Sequence, residues 1–133
     1  MSLLLLDTNA VSILFKPDHK LYAQCAGVAS GSQLFISFMA RAELLLWPRQ
    51  NRWGPKRASE LEKHVELFTT LFADEHTCRH WADIVAESRS VGRSMTTADA
   101  WIAATAIQWD LPLVTADYRD FEHVRGLTVV PVR

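Results

Sequence analysis

Asp7, Glu43, Asp99 and Asp117 are the side chains of this sequence best suited to do chemistry together. Asp7 follows directly on the apolar run Leu3–Leu6, and Asp117 stands just past the run Leu113–Thr115. An Asp in such a place readily caps the helix or turn that follows, and capping is compatible with a second role. Glu43 is different, because its helical neighbours three and four residues away are Met39, Ala40, Leu46 and Trp47. Burying a carboxylate unpaired in that company is costly, so Glu43 needs a cation, a distant Arg or a path to solvent at the helix edge. Asp99 shares its stripe with Ile102, Ala103, Ala106 and Ile107. A capping box with Thr96 as N-cap would explain where that helix starts, but not why the acid lies on the apolar face.

Four acids from two strand ends and two apolar helix faces, with no basic residue on either helix stripe, would raise one another's pKa. A hard divalent cation relieves this, and Mg²⁺ or Mn²⁺ suits an all-carboxylate site. Zinc is disfavoured because no Cys/His cluster has ligand spacing; His76 and His80 read as a surface pair. Thr8, Asn9 and Thr115 could orient water or a phosphate oxygen, or serve only as turn and cap residues. Asp120 offers a second acid beside Asp117. We favour Asp117, which sits closer to its strand.

The elements that must position these residues alternate in type. Strands are expected at Leu3–Leu6, 34–37, Leu113–Thr115 and 127–132, with a short one near 71–73. Helices are expected at 7–15, 21–29, 39–47, 57–71, 77–91 and Thr97–Trp109, with a helical turn at 120–123. Pro48 should stop the third helix, leaving residues 48–57 as a loop. This alternation predicts an α/β fold with a parallel sheet covered on both faces. No repeat, low-complexity tract or linker divides residues 1–133, so a single domain is expected.

Composition narrows the function. Hydrophobic residues make up 49% of the 133, and charged residues 22%, which is the balance of a globular protein. Cys25 and Cys78 are too few for a disulfide framework and are expected to be buried thiols in a reducing compartment. The opening leucine run is too short for a signal sequence or a membrane span, so the cytoplasm is expected and no membrane partner. A net charge of −1 gives no global attraction to nucleic acid, so any such binding would have to come from a local patch or a metal. Residues 41–65 supply one, with Arg41, Arg49, Arg52, Lys56, Arg57 and Lys63 against three acids. Trp47 and Trp53 lie within it, either to stack bases or to pack on the core or on a partner.

At these residues the sequence resembles the PIN-domain nucleases, specifically the VapC-type toxins of bacterial and archaeal toxin–antitoxin systems. Leu5-Leu6-Asp7-Thr8-Asn9 is similar to the opening motif, and Ile36-Ser37 through Ala42-Glu43-Leu44 to the second. Asp99-Ala100-Trp101-Ile102-Ala103-Ala104 resembles the third, and Leu113-Val114-Thr115-Ala116-Asp117 through Asp120-Phe121 the fourth. Trp47 departs from the pattern, standing near where many relatives have a helix-ending Gly. The resemblance implies a three-layer α/β/α sandwich with a five-stranded, mostly parallel sheet. It also implies Mg²⁺- or Mn²⁺-dependent endoribonuclease activity, a homodimer and inhibition by a cognate antitoxin.

The expected reaction is metal-assisted hydrolysis of an RNA phosphodiester by water, leaving a 5′-phosphate and a 3′-hydroxyl. Asp7, Glu43, Asp99 and Asp117 would form the anionic pocket, and Arg49, Arg52, Lys56 and Arg57 would meet the RNA. Two other readings keep the same fold: an RNA-processing nuclease without antitoxin, and a non-catalytic RNA- or protein-binding module. A phosphoaspartate receiver or phosphatase fits poorly. Asp7 is followed by Thr8 rather than a second acid, Asn9 breaks the Asp-x-Asp pattern, and no lysine follows Leu113–Thr115.

Overall fold

The computed structural model describes residues 2–133. Its strands are β1 (Leu3–Leu6), β2 (Gln33–Ser37), β3 (Thr69–Leu71), β4 (Leu113–Thr115) and β5 (Val129–Pro131). They form one five-stranded sheet in the order β3-β2-β1-β4-β5, and every pairing is parallel. β1 is central and covered on both faces along Leu4–Leu6, which is why that stretch can be leucine throughout, while Leu3 at its start is exposed. Leu5 and Leu6 are 0% exposed, and burying each such side chain contributes roughly 1.5–3 kcal/mol.

The helices are α1 (Thr8–Phe15), α2 (Tyr22–Ala29), α3 (Phe38–Gln50), α4 (Pro55–Val65), α5 (Glu75–Ser90), α6 (Thr97–Trp109) and α7 (Tyr118–Phe121). From β1 the chain steps outward through β2 to β3, then crosses back to β4 and β5 on the other side of β1. Right-handed crossovers therefore put α1–α4 on one face and α5–α7 on the other. In keeping with this, α1 packs against α3 and α4, and α5 against α6. Buried Ala100, Ala103, Ala104 and Ala106 let α6 lie close to the sheet. The direction of travel reverses between β1 and β4, and such a switch point opens a crevice beyond the carboxyl ends of the strands. At one side of this crevice α3 meets α6.

Several expected boundaries shift. Pro48 does not stop α3, which continues to Gln50. The proline removes only the amide that would have bonded the Leu44 carbonyl. Beyond it the Arg49 guanidinium donates to the Leu45 carbonyl at 2.6 Å, and the Asn51 amide and side chain both close on the Trp47 carbonyl. The loop expected at 48–57 thus shrinks to 51–54, where Arg52 turns in the left-handed region (φ 53°) and the Trp53 amide returns to the Pro48 carbonyl. Pro55 then starts α4, a position that needs no amide donor. The helix expected over 57–71 ends at Val65, because Thr69–Leu71 pair with Phe35–Ser37 as β3. The turn expected at 120–123 is α7, two residues earlier. Of the two thiols expected to be buried, Cys25 is buried but Cys78 is exposed. Among the described residues, no helix is long and apolar enough to cross a membrane.

Candidate active site

Asp7 leaves β1 at the crevice and caps α1, its Oδ1 accepting from the Ala10 amide at 2.8 Å. Its other oxygen accepts from the Thr115 hydroxyl at 2.5 Å, so the acid is tied to both α1 and β4. Capping and placement in the site are here the same fact. Asp7 is only 4% exposed, and burial pushes its carboxyl from 3.8 up to about 7. The bonds from Thr115 and Ala10 pull against that rise, while the charges of Asp117 and Asp99 add to it.

Glu43 reaches the crevice from α3, where Ser37 caps the helix by accepting from the Ala40 amide at 3.1 Å. Its Oε1 accepts from the Thr8 hydroxyl at 2.6 Å, which joins α3 to α1. Asp117 follows β4. Its amide donates to the Thr115 hydroxyl oxygen at 2.9 Å, and its Oδ2 accepts from the Asn9 side-chain amide at 2.5 Å. Thr8, Asn9 and Thr115 each donate to a carboxylate of the site.

Asp99 lies in the first turn of α6. The Thr96 hydroxyl accepts from its amide at 3.0 Å, which is the N-cap half of the box expected from the sequence. Burial first, and then the charges of Asp120, Glu43 and Asp117, raise its carboxyl from 3.8 to about 6 against the opposing bond from Thr96. Asp120 comes first among those three charges, so both acids of the last motif share the field of the site. The structure thus brings together all four expected acids and Asp120 as well.

Among the described residues, none of the four acids enters an ion pair. Nor are any three His, Cys, Asp or Glu side chains grouped so as to hold a metal ion as they stand. Asp7, Glu43 and Asp117 each accept from a neutral hydroxyl or amide of the protein itself. The donor set is nonetheless all carboxylate and lacks a protein cation, which fits a hard divalent ion better than zinc.

Arg93 was not apparent from the sequence, where it sits in a polar connection between two helices. Its guanidinium donates to the Arg119 carbonyl at 2.9 Å and lies 3.6 Å from Glu122. It braces α7, the segment that carries Asp120 and follows Asp117. The basic stretch is less open than its composition suggests. Trp53 packs against Phe15 with ring centroids 6.2 Å apart, and the Arg57 guanidinium covers it at 3.8 Å. Lys16 lies over Trp47 at 5.8 Å, Arg49 is bonded to its own helix, and Arg41 pairs with Glu66 at 3.4 Å. Trp53 is a packing residue with little face left for a base. Arg52 and Lys56 remain exposed, and a groove of about 420 Å³ between α3 and α4 is lined by Leu44, Pro48, Trp53 and Leu61. Trp81 and Trp101 stack at 5.1 Å between α5 and α6, while Trp109 stays half exposed.

Comparison with known proteins bears on the family and the fold. The family model described as PIN domain matches residues 4–127. The chain is 31% identical over 136 residues to a plasmid stability protein, StbB, of Pseudomonas syringae pv. tomato, with 96% of each chain covered. It is 26% identical over 128 residues to the ribonuclease VapC1 of Haemophilus influenzae, with 92% of each covered. Among solved structures, FitAcB from Neisseria gonorrhoeae superposes with a TM-score of 0.80 at 26% identity over 95% of each chain. DNA-bound VapBC from Salmonella typhimurium gives 0.84 at 23% identity over 100% of each, a likeness of fold. With its acids gathered at the switch point of a parallel sheet and a family match over nearly its whole length, the chain belongs to the PIN domain family.

Proposed function

We propose that this chain, as one nuclease domain over residues 1–133, is a Mg²⁺- or Mn²⁺-dependent endoribonuclease and the cytoplasmic toxin of a toxin–antitoxin pair. One observation carries the reading: Asp7 and Asp99 are held in each other's field with Glu43 and Asp117, and no lysine or arginine among the described residues pairs with any of them. A buried carboxylate left without a cation costs folding free energy, and Asp7, Glu43 and Asp117 meet only hydroxyls and amides. The names of the relatives, among them ribonuclease VapC1 and toxin FitB, point the same way.

Asp7, Glu43, Asp99 and Asp117 would hold the ion through carboxylate oxygens, with the charge of Asp120 acting on Asp99 beside them. A bound Mg²⁺ or Mn²⁺ would supply a Lewis acid for the scissile phosphate and an acidified water. The protein's part is positioning. Thr115 and the Ala10 amide fix Asp7, Thr8 fixes Glu43, and Asn9 fixes Asp117. In the metal-free pocket Asp99 loses its proton near pH 6 and Asp7 near pH 7, so the pocket gains its full charge only above neutral pH. Arg52 and Lys56, backed by Arg49 and Arg57, would track the RNA backbone. An apolar antitoxin helix suits the groove between α3 and α4, and a homodimer, as the resemblance implies, would be the active form.

The test is cleavage of a structured RNA by purified protein with Mg²⁺ or Mn²⁺, with EDTA added, and by Asp99→Asn. Cleavage that needs the metal and is absent from the variant is expected. Full activity in EDTA or in Asp99→Asn would overturn the proposal.

A further inference from the structure

Beside the acids, α7 and the end of β5 enclose a cavity of about 370 Å³. Asp117, Tyr118, Arg119, Asp120, Pro131 and Arg133 line it. Its contents are unusual for a surface hollow. Tyr118 is 38% exposed, and the Arg133 guanidinium lies 5.6 Å from its ring centroid. Arg119 spends its backbone carbonyl on Arg93, but its side chain enters no ion pair among the described residues, and neither does that of Arg133. Two guanidinium groups and two carboxylates thus share one cavity without neutralising each other. Guanidinium groups bind phosphate through paired donors, and an exposed phenol ring offers a face on which any base can stack.

Resting on the nuclease reading, we propose that this cavity is a subsite for single-stranded RNA. It would hold a nucleotide next to the scissile phosphate, with the base on Tyr118 and a backbone phosphate on Arg119 and Arg133. The geometry gives the subsite a direct link to the acids. Asp117 lies between Thr115, which touches Asp7, and Tyr118, so a nucleotide on the ring sits one residue from the carboxylate pocket. Arg93 fixes the backbone of the same turn, so the ring and the acids are held as one unit. The basic stretch on α3 and α4 cannot supply such a platform, since Trp53 is already covered by Phe15 and Arg57.

The experiment is fluorescence anisotropy of a labelled single-stranded oligouridylate binding the full chain in EDTA, over a series of KCl concentrations. Arg119→Ala with Arg133→Ala should weaken binding at low salt and flatten the slope of log K against log salt by about 1.4, for two phosphates lost. Tyr118→Ala should weaken binding about tenfold with the slope unchanged, and Tyr118→Phe should restore it. Wild-type affinity and slope in all of these variants, or no binding by the wild type, would overturn the subsite. Should any variant lose its circular dichroism spectrum, crosslinking of 4-thiouridine RNA to the wild type decides instead. Adducts on α7 support the subsite, and adducts confined to α3 and α4 refute it. Unchanged RNA binding with loss of an antitoxin complex would assign the cavity to a protein and refute it equally. Because EDTA removes the metal, binding here with no cleavage under any metal would overturn the nuclease reading alone. Normal cleavage by variants that also bind normally would overturn the subsite alone.

Discussion

The Thr115 hydroxyl donates to Asp7 Oδ2 at 2.5 Å, and both side chains are buried where β1 and β4 run side by side. This bond favours the charged carboxylate and opposes the effect of burial. Thr115→Val removes it with little change of shape. The Asp7 carboxyl should then rise further, and the ascending limb of the pH–rate profile should move to higher pH. Profiles of kcat/KM for the two proteins check this. A limb that stays in place would mean that Asp7 does not govern the pH dependence.

Asp7 also sets a stability gradient. Its folded value of about 7 lies above its ordinary 3.8, so between those values the folded state holds a proton that the unfolded state has lost. Metal-free protein should therefore lose stability as pH rises from about 4 to about 7, by on the order of 4 kcal/mol, and change little from this source above that window. Asp7→Asn keeps a capping oxygen for the Ala10 amide and cannot ionise. It should flatten the gradient and raise the melting temperature in neutral EDTA buffer. Urea melts at a series of pH values measure both effects. A gradient equally steep in the variant would place its source elsewhere.

Arg93 acts on the site only through α7. Arg93→Ala frees the Arg119 carbonyl, and Asp117 and Asp120 lose their brace. The value of kcat should fall roughly ten- to a hundredfold, as small misplacements of catalytic groups do, with KM changed far less. Arg93→Lys should recover part of the loss. Equal losses in kcat and in melting temperature, with no rescue by lysine, would reduce Arg93 to a stability residue.

Much of this was legible in the sequence, for local reasons. The Thr96 cap and the alanine-rich stripe define α6 as Thr97–Trp109, and the apolar runs mark β1 and β4. The end of α3 was not legible, because a proline usually closes a helix and here side-chain bonds from Arg49 and Asn51 carry it on. The roles of Asn9 and Thr115 were hidden for a different reason. Their bonds to Asp117 and Asp7 each span 108 residues, and only the strand order brings the partners together. The acids announce themselves by sitting in apolar company; the neutral groups that hold them do not.

The central claim is that Asp7, Glu43, Asp99 and Asp117 form one divalent-ion site, and thermal unfolding with and without Mn²⁺ tests it most directly. Metal binds the folded pocket and not the dispersed acids of the unfolded chain. At about a hundred times its dissociation constant it should stabilise the fold by about 2.7 kcal/mol. For a domain of this size that raises the melting temperature by roughly 5–15 °C. Asp99→Asn relieves repulsion in the empty pocket and removes a ligand. It should melt higher than wild type in EDTA and shift less with Mn²⁺, and Asp117→Asn should behave alike while Asp120→Asn shifts as wild type does. Equal Mn²⁺ shifts in wild type and Asp99→Asn would contradict the account, because the acids would then not be acting as one site.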